Sequence, residues 1–132
     1  MMITTKGRNA LKVMIDLAQH NDGNNVPLAD IAERIKESQK YLESTVSALA
    51  SANLIISARG KSGGYKLAKP AEDYTVGEII VACEGSIAPV SCLDTAHPCD
   101  NADKCLSLPL WREIDEVIMG FLNTKRLIDL VK

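Results

Sequence analysis

Apolar side chains recur near the start of the chain at helical spacing. Leu11, Met14, Ile15 and Ala18 stand at i, i+3, i+4 and i+7, which predicts an amphipathic helix from about Lys6 to His20, capped by Thr4 or Thr5. Asn21-Asp-Gly-Asn-Asn25 breaks the pattern with loop-forming residues. Pro27 then fits as an early residue of a short second helix whose apolar side is Leu28, Ile31, Ala32 and Ile35. Ser38 is an N-cap for a third helix, about Gln39 to Ala52, with Leu42, Val46 and Leu49 facing inward and Asn53 as C-cap.

After Asn53 the period changes. Leu54–Ser57 and Tyr65–Leu67 read as short strands on either side of Ala58-Arg-Gly-Lys-Ser-Gly-Gly64, a turn with three glycines and two cations. Three helices followed by such a hairpin is the order of a winged helix-turn-helix. Pro70–Asp73 makes a linker, and Thr75 caps a short helix from Val76 to about Cys83, ended by Glu84-Gly85. Pro109 opens a long helix to about Thr124. Its Trp111, Ile114, Ile118 and Phe121 recur at 3-4-3 spacing, widened by Leu110, Val117 and Leu122, and Leu127, Ile128, Leu130 and Val131 continue the apolar character. The expected fold is mainly α with a small β-hairpin wing: a winged helix-turn-helix with a long C-terminal dimerisation helix. It divides into a DNA-binding domain over 1–69, a short helix and cysteine loop over 70–108, and a dimerisation helix and tail over 109–132.

Composition supports one ordered unit. In 132 residues, 46% are hydrophobic and 24% charged, which favours a packed core over disorder, and aromatics at 4% make that core aliphatic. No apolar run approaches the ~18 residues of a membrane helix, and Met-Met-Ile-Thr-Thr-Lys lacks the apolar stretch of a signal peptide. The expected location is the cytoplasm, where thiols stay reduced and clustered cysteines point to metal more often than to disulfides. The net charge of −2 conceals an asymmetry: residues 1–69 hold ten Lys/Arg against six Asp/Glu, residues 70–132 five against eleven. A basic N-terminal half suits a polyanionic partner.

The third helix carries residue types that read DNA. Hydroxyls and amides reach base edges or phosphates, lysine pairs with phosphate or guanine, and glutamate accepts from cytosine. Ser38, Gln39, Lys40, Tyr41, Glu43 and Ser44 are the candidates there. Taken alone they describe the solvated face of an ordinary helix. Arg59 and Lys61 on the glycine-rich turn, able to approach a backbone or a narrow minor groove, turn the balance to double-stranded DNA. The apolar stripe of the last helix exceeds what a domain of this size covers, so a C2 homodimer on a palindromic operator is expected. There is no CxxC, nucleotide-binding loop or catalytic dyad, and no enzymatic activity is expected.

Three of the four cysteines, Cys92, Cys99 and Cys105, fall within fourteen polar, aperiodic residues. Such a loop suits an iron–sulfur cluster. Structural zinc would normally show paired knuckles, absent here; a disulfide pair stays open under oxidative stress, though three thiols leave one over, and free surface cysteines are the bland option, against which the clustering argues. Cys83 ends an apolar helix and reads as a small buried hydrophobe.

These residues resemble the IscR/NsrR/CymR-type transcription regulators of the Rrf-two superfamily over essentially the whole chain. The matching stretches are Thr5-Lys-Gly-Arg8, Tyr41-Leu-Glu43, Leu54 with Ser57-Ala-Arg-Gly60, Gly63-Gly-Tyr65, Thr75-Val-Gly-Glu-Ile-Ile80, Glu84-Gly85, and the cysteine loop leading into Leu110-Trp111. The resemblance implies a dimeric bacterial winged helix-turn-helix regulator. One branch of the family senses iron–sulfur status, nitric oxide, iron or redox state through a cluster; another lacks the loop cysteines and senses through a partner enzyme. With its three cysteines the chain resembles the cluster-bearing branch.

Cys92, Cys99 and Cys105 are then the implied ligands and Arg59 the wing residue entering the minor groove. The interval from Cys92 to Cys99 is one residue longer than the family's five. The histidine that IscR-like members place after the last cysteine is Leu108 here, and the aspartate that NsrR-like members place in the first helix is Arg8. For the fourth ligand the loop offers His97, the softest donor, with Asp94, Asp100 and Asp103; a water, a small thiol or a side chain of the partner subunit are the alternatives. The cluster is either 2Fe-2S, the preferred type, or 4Fe-4S. The alternative function is a cluster-free regulator of the same fold that senses through thiol oxidation or a protein partner.

Overall fold

Thr4 starts the first helix by accepting the Lys6 N–H on its hydroxyl at 3.3 Å. In the computed structural model, which describes residues 3–93 and 104–132, α1 spans Thr5–Gln19, α2 Leu28–Ile35 and α3 Gln39–Ser51. Helix α1 is the central post, in contact with α2, α3, the second wing strand and the later helices Val76–Glu84 and Leu127–Leu130. Its fully buried face is Ala10, Val13, Met14 and Leu17; the expected Leu11, Ile15 and Ala18 lie along its edge, half-buried. A helix covered from several sides buries a broader arc than a single stripe describes, and that turns the inward face one step from the expected one.

Polar contacts fasten α2 to α1 and start α3. Arg34 of α2 forks onto the buried Asp16 of α1, with Nε and Nη2 at 2.8 and 2.9 Å from the carboxylate. Lys36 turns the chain in the left-handed region (φ 60°), and Ser38 caps α3 by accepting the Tyr41 N–H at 3.1 Å. Pro27 stands just before α2 rather than in it, its carbonyl accepting the Ile31 N–H. Helix α3 ends at Ser51, and Asn53 takes the left-handed conformation (φ 60°) that turns the chain into the wing.

The wing pairs β1, Ile55–Ala58, with β2, Gly64–Leu67, in antiparallel register with Ile55 opposite Leu67 and Ser57 opposite Tyr65. Both strands include one residue assigned by sequence to the turn, Ala58 and Gly64. Val26, just before α2, adds a rung: its N–H and carbonyl exchange hydrogen bonds of 2.8 Å with Tyr65. Gly64 stands at φ +140°, and a Cβ there would collide with the Val26 carbonyl, so this bridge requires glycine.

Beyond the wing, a 3₁₀ turn over Ala71–Asp73 leads to Tyr74 and to α4, Val76–Glu84, which a capping box of Thr75 and Glu78 opens. Helix α4 packs along α1, and α5, Leu108–Thr124, packs on α4. The chain then returns. Val76 donates to the Lys125 carbonyl (2.9 Å) and Leu127 to that of Tyr74 (3.1 Å), so α6, Leu127–Leu130, seats Leu127 in the same core as Ala10, Ile79 and Cys83. Helix α5 therefore divides its apolar residues. Ile118, Met119 and Leu122 pack with Val76, Ile80 and Ile87, whereas Leu110, Val117 and Phe121 are exposed.

Candidate nucleic-acid interface and cysteine centre

The N-terminal half of α3 presents two flanks. Gln39 and Glu43 face the wing and, with Arg59 and Ser57, line a groove of about 500 Å3 between helix and hairpin. Lys40, Tyr41 and Ser44 face the other way, onto a cleft of about 440 Å3 that Lys6 of α1 also lines. Ser38 sits at the head of both flanks as the cap. The side chains expected on α3 are all exposed, Tyr41 by half its surface. Arg59 joins them; Lys61 does not. It lies with Asn24 and Asn25 on the opposite side of the wing tip, where Asn25 donates to the Ser62 carbonyl at 3.0 Å. Among the described residues, Lys6, Lys40, Arg59 and Lys61 form no ion pair within 4 Å.

The structure thus brings Gln39, Glu43 and Arg59 into one groove. Lys6 escaped sequence reasoning because only the packing of α1 against α3 sets it beside the third helix.

The wing's aim is fixed from beneath. The Tyr74 hydroxyl, fully buried, donates to the Leu54 carbonyl and accepts the N–H groups of Ala68 and Lys69 at 2.9 and 3.2 Å. Lys69 lies over the same ring, 4.8 Å from its centroid, and pairs with Glu78 at 3.2 Å.

Glu84 closes α4 onto the start of α1. Its carboxylate accepts the Thr4 N–H (3.2 Å), the Thr4 hydroxyl and the Gly7 N–H (2.8 Å), where the helix dipole favours a negative charge. Burial pushes its pKa up, but these hydrogen bonds and the nearby Lys6 charge outweigh it and hold the carboxyl below the ordinary range. A Cβ at Gly7 would press on the Glu84 side chain at 2.9 Å. The matching stretches Thr5-Lys-Gly-Arg8 and Glu84-Gly85 are thus two halves of one contact.

Two loop cysteines fall in the described residues. Cys92 is half-buried in the 3₁₀ turn Ser91–Leu93, which packs against α5. Cys105 stands three residues before α5, its Sγ 3.3 Å from the Ser107 hydroxyl. Ser107 occupies the N-cap position of α5 but makes no capping bond. Its hydroxyl, with the N–H groups of Ser107 and Leu108, holds the Cys105 thiol below its ordinary pKa, as suits a thiolate ligand. Cys99 lies outside the described residues, as do His97, Asp94, Asp100 and Asp103. Leu108 is buried and apolar, and Arg8 is an exposed cation that donates to the Thr5 hydroxyl at 3.1 Å. Neither supplies a donor atom for a metal. Cys83 is buried as expected, its thiol donating to the Thr45 carbonyl at 3.7 Å, and burial pushes its pKa up.

A reading helix beside a cationic hairpin defines a winged helix-turn-helix protein of the DNA-binding kind. Comparison with known proteins gives the particular group: the chain belongs to the Rrf2 family, described as iron-dependent transcriptional regulators, whose family model matches residues 3–132. The HTH-type transcriptional regulator IscR of Serratia proteamaculans (strain 568) is 43% identical over 131 residues, covering 99% of this chain and 79% of that protein. Among solved structures, CymR (YrzC), the global cysteine regulator of B. subtilis, is 36% identical with a TM-score of 0.77, covering 98% of this chain and 95% of that one. T. potens IscR is 32% identical with a TM-score of 0.75, covering 98% and 85%. The chain is a DNA-binding transcription regulator. Among the described residues, no helix is long and apolar enough to cross a membrane.

Proposed function

We propose that this chain is a cytoplasmic, homodimeric regulator whose promoter binding is controlled by an iron–sulfur cluster on Cys92, Cys99 and Cys105. The observation that carries the reading is the setting of Cys105. Its thiol is held toward thiolate at the head of α5, and the Cys92 turn packs on that same helix. Similarity to regulators named IscR supports a cluster; the type proposed is 2Fe-2S in preference to 4Fe-4S. His97 is the loop's own candidate for a fourth ligand. A bound cluster supplies sensitivity to oxidant, nitric oxide and iron supply. The chain's residues supply the coupling, since the cysteine loop lies between α4, which Glu84 fastens to α1, and α5.

The three segments divide the work within one packed body. Residues 1–69 bind a palindromic operator through Ser38, Gln39, Lys40, Tyr41, Glu43, Ser44 and Arg59, with Lys61 on the far side of the wing tip. Residues 70–108 carry the sensor. Residues 109–132 form the dimer through the exposed stripe of Leu110, Val117 and Phe121.

Anaerobically purified protein is expected to be coloured and to contain iron and acid-labile sulfide. A triple variant with Cys92, Cys99 and Cys105 changed to Ser should lose the colour and the switch in DNA affinity. If that variant binds iron and switches like the parent, the cluster reading is wrong. The second reading, a cluster-free thiol switch, draws on the same activated Cys105. Operator affinity that responds to oxidant in protein free of iron and sulfide would establish it.

A further inference from the structure

We propose that the cleft between the first turn of α1 and the outer flank of α3 binds a phosphate of the DNA backbone, with Lys6 as its principal cation. This rests on the DNA-binding reading and extends it to a helix outside the helix-turn-helix pair. The cleft is lined by Lys6, Ser38, Lys40, Tyr41, Ser44 and Thr45: two ammonium groups, four hydroxyls and no carboxylate. A phosphodiester oxygen only accepts hydrogen bonds, and every functional group on this wall can donate. Ser38 already accepts the Tyr41 N–H, which leaves its own proton available. Thr45 is 1% exposed and its hydroxyl has no hydrogen-bond partner, an unusual state for a buried donor.

Lys6 is not committed elsewhere. Glu84, whose charge it feels, is already held by Thr4 and Gly7, and Lys6 itself forms no ion pair within 4 Å among the described residues. The two cations come from different helices, so the wall is set by the α1–α3 packing rather than by one flexible chain segment. Phosphate contacts of this kind fix the register of a reading helix without carrying sequence information.

The test is the salt dependence of binding to operator and to an unrelated duplex. Lys6→Gln should weaken both by the same factor and flatten the log–log salt slope by about 0.9 per subunit, and Lys6→Arg should restore the parental slope. On an operator with single phosphates replaced by neutral methylphosphonate, one replacement should weaken the parent yet leave Lys6→Gln unaffected. A parental slope and affinity in Lys6→Gln would overturn the assignment while leaving DNA binding intact. So would altered base preference at an unchanged slope. A parent protein that binds no duplex at any salt overturns the DNA-binding reading and this one with it.

Discussion

The phenol of Tyr74 donates to the carbonyl of Leu54 over 2.6 Å, joining residues twenty positions apart. Leu54 leads into β1, and Ala68 and Lys69, whose N–H groups the same oxygen accepts, follow β2. One hydroxyl thus gathers both ends of the wing, and the backbone carbonyl of Tyr74 holds Leu127 at the other end of the chain.

Tyr74→Phe removes that oxygen without changing the packing of the ring. Leaving a buried polar group unpaired costs about 1–3 kcal/mol; because the Leu54 carbonyl keeps the Ala68 N–H at 3.4 Å and Ala68 and Lys69 are exposed, unfolding in urea should show a loss near the lower end of that range. A change below about 0.5 kcal/mol, typical of a neutral surface position, would mean that the wing base holds itself.

Glu84 ties stability to acid. Its pKa lies below the ordinary 4.5, so the ionised carboxylate stabilises the fold above that value, and the contribution fades as pH falls through the lower, folded pKa. Glu84→Gln keeps the shape but removes the charge. Denaturation midpoints carried from neutral pH into the acid range should fall less steeply in the variant. Parallel curves for the two proteins would show that Glu84 contributes nothing through its ionisation.

Arg59 and Glu43 share the groove beside the wing, and the proposed reading gives them different roles. Arg59→Ala should weaken operator binding by about 1–3 kcal/mol, the range of one good side-chain contact to a base. Glu43→Ala should instead broaden the set of tolerated operators, read by selection from a randomised site. A uniform loss across all sequences would remove Glu43 from the reading set.

Val117 is 67% exposed on α5, so an aspartate there meets only solvent in the single chain. In the proposed dimer it would put a charge into each half of the apolar seam. Val117→Asp should sediment as a monomer while keeping its helical content. A variant that remains dimeric would place the interface elsewhere.

Much of this fold was legible along the chain, because the signals were local. Caps at Thr4, Ser38 and Thr75 mark helix starts, and the shift from helical to alternating period near Asn53 marks the wing. What escaped is what distant segments decide together. The bridge from Val26 to Tyr65 is one residue long, too short for any period. Leu127 reads as one more apolar residue in a tail, yet it is fully buried because Tyr74 and Thr75 draw that tail back. The stripe on α5 was visible as a whole, but its division between α4 and the exposed face depends on which side α4 occupies. The candidate site divides similarly. The α3 residues and Arg59 follow from helix and turn chemistry, whereas Lys6 enters through packing alone.

The return of the chain at Leu127 makes α5 a lever with its fulcrum at the C-terminal end. The helix is seventeen residues long, or about 25 Å at 1.5 Å per residue, so a 5° tilt about Leu127 moves the Cys105 end by about 2 Å. Leu127, buried and hydrogen-bonded to the Tyr74 carbonyl, is the fixed end of that lever. In the proposed switch, a small displacement at the cysteines would therefore reorient Leu110 and Val117 relative to α3.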